Sequence, residues 1–262
     1  MRGVCSPRRR RASCATDHPM KRLLLPVALA LSLAGIAPAA PRVFMVGDST
    51  MANKPADLPE WGWGMALGEF LTDPAMVQNH AMNGRSTRSF IDEGRWQKVA
   101  DDLTPADFVI IQFGHNDEKV EDPKRGTDPA TTFRDNLRRF ITETRAKGAT
   151  PILATPVARR KFDRAGKLTD THGAYPAAIR AVAKEENVAL LDLTVATMKW
   201  LETAGDEPSK KLFMWIEPGA HPKIPDGRKD DTHFVAAGAK HVASLAAAQL
   251  RELKSPLAKW LK

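Results

Sequence analysis

Ser49 lies in the tetrapeptide Gly47-Asp48-Ser49-Thr50, directly after an apolar run. A serine hydroxyl is a poor nucleophile until a general base takes its proton, and that base needs a third group to orient it. His233 can be the base. Asp230 can hold the second ring nitrogen, because a three-residue spacing within a turn lets its carboxylate reach back; Asp231 is the alternative. Acyl transfer also needs donors for the oxyanion that develops on the attacked carbonyl. The backbone N–H of Ser49, that of Gly84 and the side-chain amide of Asn116 form the natural set. Gly84 has no side chain to block close approach.

These residues can meet only if the fold carries them to one edge of a sheet. In open α/β sheets, ligands bind beyond the carboxyl ends of the strands. Short apolar runs at 43–46, 76–77, 108–111, 151–154 and 188–191 read as strands. Gly47-Asp48-Ser49-Thr50, Asn83-Gly84-Arg85-Ser86 and Gly114-His115-Asn116-Asp117 follow the first three of them. Asp230-Asp231-Thr232-His233 comes just before a final helix marked by Val235, Val242, Leu245, Leu250 and Leu253. Helical spacing also appears over 65–71, at Phe133, Leu137, Phe140 and Ile141, and at Ile179, Val182 and Ala183. Asp128 fits as an N-cap with Pro129 at N1 and Gly148 past the helix end. The stretch 205–231 carries no strand signal and reads as a functional loop region. Five strands alternating with helices indicate an α/β class with a parallel sheet covered on both faces.

The four polar blocks, in this order, resemble the SGNH (GDSL-like) hydrolase superfamily. The longer matches narrow the resemblance to its rhamnogalacturonan acetylesterase branch. They are Gly47-Asp48-Ser49-Thr50-Met51-Ala52, the run from Asn83 to Phe90, Gly114-His115-Asn116-Asp117 and Asp230-Asp231-Thr232-His233-Phe234. Thr50 stands where many superfamily members have Leu, and the narrower branch carries Thr there. The resemblance implies a flavodoxin-like three-layer α/β/α sandwich with a five-stranded parallel sheet. It also implies removal of acetyl groups from plant pectin without metal or organic cofactor. Its Asp-x-x-His spacing selects Asp230 over Asp231. Acetylxylan or another short-chain ester as substrate, and acetyl transfer to a sugar hydroxyl, are the alternative activities; a secreted carbohydrate-binding module with a relic site is the alternative of another class.

Several neighbouring residues are candidates for holding a sugar. Arg85 and Arg88 can meet a galacturonate carboxylate, and His115 can line the pocket. Trp61, Trp63 and Trp215 can offer aromatic faces to sugar rings. Asp48 is expected to bond the backbone of the Ser49 turn. His80, His115, His172, His221 and His241 show no H-x-x-x-H spacing, so no metal is expected. Gly62-Trp63-Gly64-Met65-Ala66-Leu67-Gly68 is one residue too long for a dinucleotide fingerprint.

The 262 residues and 28.8 kDa suit one α/β domain, expected over 40–262. The formal charge of +8 would suggest an anionic partner such as nucleic acid, but its distribution argues otherwise. Lys21-Arg22, the apolar run 23–37 and Ala37-Pro38-Ala39 have the form of a signal peptide, so 1–39 reads as a leader. Setting aside its seven basic residues and one acid leaves 32 basic against 30 acidic residues. The remaining net of +2 removes the main support for a nucleic-acid partner. The apolar run is too short for a stable membrane anchor. Cys5 and Cys14 both fall in the leader, which leaves the domain without disulfide, thiolate nucleophile or thiolate metal site. An exported protein, periplasmic or extracellular, is the expected product, with an acetylated polysaccharide as its partner.

Overall fold

The computed structural model describes residues 41–262. The leader expected over 1–39, with Cys5 and Cys14, lies outside the described residues. Five parallel strands form the central sheet in the order β3-β1-β4-β5-β6. They are β1 (Val43–Gly47), β3 (Val77–Asn79), β4 (Phe108–Gln112), β5 (Thr150–Ala154) and β6 (Ala189–Leu191). β1, β4 and nearly all of β5 are buried, which is why they read as continuous apolar runs.

Side-chain alternation along those strands divides the core in two. Val43, Met45, Phe108 and Ile110 face one layer; Phe44, Val46, Val109 and Ile111 face the other. The first layer holds α1 (Trp63–Leu67), α6 (Leu193–Ala204) and α8 (Ala236–Glu252). The second holds α2 (Thr87–Asp92), α3 (Arg95–Asp102), α4 (Thr132–Ala146) and α5 (Tyr175–Glu185). This is the expected three-layer sandwich. Each large apolar side chain sealed in these layers contributes about 1.5–3 kcal/mol over its exposed state.

Two sequence expectations need correction. The stretch 205–231 is not strand-poor. It holds the short helix α7 (Asp206–Ser209), β7 (Phe213–Ile216) and the start of β8 (Arg228–Val235), which pair antiparallel. With β2 (Glu60–Trp61) on the other side of β8, they form a second sheet in the order β2-β8-β7. Helix α4 begins at Thr132, not at Asp128. Asp128 instead accepts the Ala130 N–H and closes the turn that precedes the helix.

Candidate active site

Chain order in the sheet reverses around β1, whose neighbours are β3 and β4. Such a switch point opens a crevice at the strand carboxyl ends. Ser49 leaves β1 there, Gly84 lies in the loop after β3, and Asn116 follows β4. The Ser49 turn is tied at both sides. The carbonyl of Asp48 accepts the N–H groups of Met51 and Ala52, and its carboxylate accepts the N–H and hydroxyl of Thr50. Asp48 is fully buried, and burial alone would raise its pKa. The His115 ring and Thr50 outweigh that and bring it down to about 2.

His233 reaches Ser49 from the second sheet. Its Nε2 lies 2.9 Å from Ser49 Oγ, and its Nδ1 lies 2.8 Å from Asp230 Oδ2. A proton on Nδ1 donated to the carboxylate leaves the Nε2 lone pair facing the serine hydroxyl. The reach from Asp230 to His233 comes from an irregularity in β8. Phe213 pairs with Phe234, but the next residue, Met214, pairs with Asp230. Residues 231–233 therefore bulge out of the ladder. Asp230 Oδ1 caps the bulge by accepting the N–H groups of Thr232 and His233, at 2.8 and 3.0 Å. Burial disfavours the Asp230 carboxylate, yet the bonds and charge of His233 and the Thr232 N–H hold its pKa well below the usual carboxylate range.

Asp231 points elsewhere. Its Oδ1 accepts the indole N–H of Trp215 at 2.8 Å and Arg160 Nε at 2.7 Å.

Three charged residues that sequence reasoning passed over join the two ends of the site. Arg228 Nη2 donates to Asp230 Oδ2, and Arg228 Nη1 donates to Glu60 Oε2 at 3.0 Å. Glu60 Oε1 lies 2.6 Å from Lys54 Nζ, which also donates to Asn83 Oδ1 at 2.7 Å. Lys54 and Glu60 are both buried, and burial pushes the Lys54 ammonium pKa down. An ionic chain thus runs from the loop holding Gly84 to the carboxylate holding His233. No sequence signal marks it, because isolated charged residues look like solvated surface until the second sheet brings them together.

Asn116 is buried with its amide held from both sides. Nδ2 donates to the Arg85 carbonyl at 3.0 Å, and Oδ1 accepts from Lys119 Nζ at 3.0 Å. The second Nδ2 hydrogen is left for a ligand oxygen. Gly84 has φ +74°, in the left-handed region where glycine is at ease.

The residues expected to hold a sugar sit differently. His115 is 3% exposed, with Nδ1 donating to Asp48 Oδ2 at 3.2 Å and its ring edge-on to His172. Burial pushes its pKa down to about 4, so it is neutral at pH 7, and its Nδ1 supports Asp48. The Arg85 guanidinium is paired with Glu93 at 3.0 Å, and it is the Arg85 carbonyl that serves the site. Arg88 donates to the Pro123 carbonyl. Trp63 is a core residue whose N–H meets Gln112. The Trp215 ring is already covered by Arg160 and Lys210, at 4.9 and 4.3 Å from its centroid. Trp61 is half-buried, with Lys240 over its ring.

Asp117, next to Asn116, is fully buried. Burial raises its pKa to about 7, against the pull of Thr87 and Thr127, whose hydroxyls and, for Thr87, backbone N–H donate to it. Among the described residues no group of three or more His, Cys, Asp or Glu side chains is arranged to hold a metal ion, and no helix is long and apolar enough to cross a membrane.

The GDSL-like lipase/acylhydrolase family matches residues 45–241. The chain is 45% identical over 217 residues to the rhamnogalacturonan acetylesterase RhgT of Bacillus subtilis, covering 82% of this chain and 92% of that one. It is 37% identical to the probable rhamnogalacturonan acetylesterase YesY of the same organism, covering 82% and 94%. The crystal structure of YxiM from Bacillus subtilis superimposes with a TM-score of 0.70 at 29% identity, covering 82% of this chain and 57% of that one. With its blocks at Ser49, Gly84, Asn116 and His233, the chain belongs to the GDSL-like lipase/acylhydrolase family of SGNH hydrolases, in the rhamnogalacturonan acetylesterase-like branch.

Proposed function

We propose that the protein is a serine esterase that removes acetyl groups from acetylated rhamnogalacturonan. The observation that carries the chemistry is His233, bridging Ser49 at 2.9 Å and Asp230 at 2.8 Å. The likeness to RhgT over 92% of its length supports the substrate.

Ser49 Oγ attacks the acetyl carbonyl as His233 Nε2 takes its proton. Asp230 stabilises the imidazolium that forms and keeps the ring in register. The N–H groups of Ser49 and Gly84 and the Asn116 amide receive the oxyanion. The tetrahedral intermediate collapses, the bond to the sugar oxygen breaks, and His233 returns its proton to that oxygen. Water then attacks acetyl-Ser49, giving a proton to His233. Collapse releases acetate, and the proton on His233 goes back to Ser49.

Residues 1–39 act as an export signal in this reading, and 40–262 form the esterase domain. N-terminal sequencing of the exported protein tests that boundary. For the activity, acetate release is measured from acetylated rhamnogalacturonan, with acetylated xylan and Ser49→Ala as controls. Strong release from the pectic substrate that disappears with Ser49→Ala is the expected result. Release from xylan alone would keep the Ser49 chemistry and overturn the pectin assignment.

A further inference from the structure

Four basic residues touch Asn83, Asn116 or Asp230. Three of them already have carboxylate partners. Lys54 pairs with Glu60, Arg228 with Glu60 and Asp230, and Arg85 with Glu93. Lys119 is the exception. It is exposed, its ammonium donates to Asn116 Oδ1 at 3.0 Å, and it forms no ion pair among the described residues. An ammonium carries three donors, so two remain for a ligand.

The loop presents Lys119 firmly. At its base Thr127 donates its N–H to the Asp117 carbonyl and its hydroxyl to the Asp117 carboxyl. The Tyr175 hydroxyl lies 3.0 and 2.5 Å from the carbonyls of Asp117 and Thr127. Arg88 holds the Pro123 carbonyl from outside. Across the loop, a Cβ on Gly126 would lie 2.6 Å from the Lys119 carbonyl, so only glycine allows this closure. The two arginines beside Lys119 are themselves paired, Arg125 with Asp122 and Arg159 with Glu118.

We infer that Lys119 receives the carboxylate of a uronic acid residue, and so selects esters carried on acidic sugars over esters on neutral ones. This rests on the proposed esterase reading. Nδ2 and Oδ1 are two arms of one Asn116 amide. The Lys119 ammonium therefore stands one amide group from the donor that would meet the acetyl carbonyl oxygen, and in the inferred pose the sugar ring lies on that side. In a galacturonate the C6 carboxylate projects from that same ring. A xylose has no carbon there. Binding of the carboxylate completes the coordination of the ammonium and adds a charge-assisted bond that a neutral sugar cannot make.

The test compares kcat/KM on acetylated rhamnogalacturonan with kcat/KM on acetylated xylan, for wild type, Lys119→Met and Lys119→Arg, at low and high salt. Any effect that passes through Asn116 falls on both substrates alike, so the readout is the ratio. Lys119→Met is expected to lower the acidic-to-neutral ratio roughly tenfold or more, as loss of a charged hydrogen bond does. Lys119→Arg is expected to keep most of it. Salt is expected to lower the ratio in wild type and leave it nearly flat in Lys119→Met. An unchanged ratio in Lys119→Met, with wild type active on the pectic substrate, overturns the assignment to Lys119 alone. Wild type that releases no acetate from that substrate overturns the substrate reading and this inference with it.

Discussion

Asp231 accepts the indole N–H of Trp215 at 2.8 Å, which leaves its neighbour Asp230 as the carboxylate that meets His233. The two adjacent acids therefore have separable roles. Asp230→Asn is expected to lower kcat by about 10³- to 10⁴-fold, because the imidazole loses its orienting anion. Asp231→Ala is expected to cost about 1–3 kcal/mol of stability, because Trp215 and buried Arg160 lose an acceptor. Parallel kcat and denaturant-midpoint measurements check the pair. A kcat loss in Asp231→Ala as large as that in Asp230→Asn would contradict the division.

Lys54 and Glu60 form a buried pair at 2.6 Å, and breaking one partner strands the other. Glu60→Gln is expected to lose about 3 kcal/mol, the usual order for an uncompensated buried charge. Adding Lys54→Met removes the stranded ammonium and is expected to recover part of that loss. Urea unfolding of both variants measures this. A double variant no more stable than Glu60→Gln alone would count against the buried charge as the cause.

Gly84 has φ +74°, and a Cβ there would meet no protein atom within 4 Å. The stability cost of Gly84→Ala is therefore conformational only, about 1–2 kcal/mol. In its proposed role as an oxyanion donor, its N–H would be misdirected by any relaxation of that angle. The expected kcat loss is about 10²- to 10³-fold with KM little changed. Steady-state kinetics beside a thermal melt separates the two effects.

Asp117 is expected to be a pH-dependent burden on the fold. Its folded pKa of about 7 lies above the ordinary 3.8, so the unfolded chain loses its proton first as pH rises. Its contribution to stability is present below the ordinary value and is lost progressively as pH climbs toward the folded one. Infrared spectra should show a protonated carboxyl at about pH 5 that disappears above about pH 8, and that is missing from Asp117→Asn. A spectrum without that band at the lower pH would contradict the burial effect.

The central sheet was legible because β1, β4 and β5 are buried on both faces and spell unbroken apolar runs. The residues around Ser49, Gly84, Asn116 and His233 were legible because they fall just after such runs or just before a helix. The second sheet was not. Arg228-Lys229-Asp230-Asp231-Thr232-His233 has no apolar alternation, and β2 is only two residues long. Its pairing with β7 and β2, not its composition, makes it a strand. The ionic chain from Lys54 through Glu60 to Arg228 is invisible for the same reason. The surroundings of the candidate sugar contacts were not legible either: His115 and Trp63 are buried, and Arg85 is paired with Glu93.

The claim that Ser49 is the nucleophile is tested most directly by trapping it. The protein is incubated with a serine-directed phosphonate, its peptides are mapped by mass spectrometry, and residual acetate release is followed in parallel. One adduct per chain on Ser49, with activity falling in step with labelling, is the expected result. Label on another residue, or full activity in protein labelled at Ser49, would contradict it.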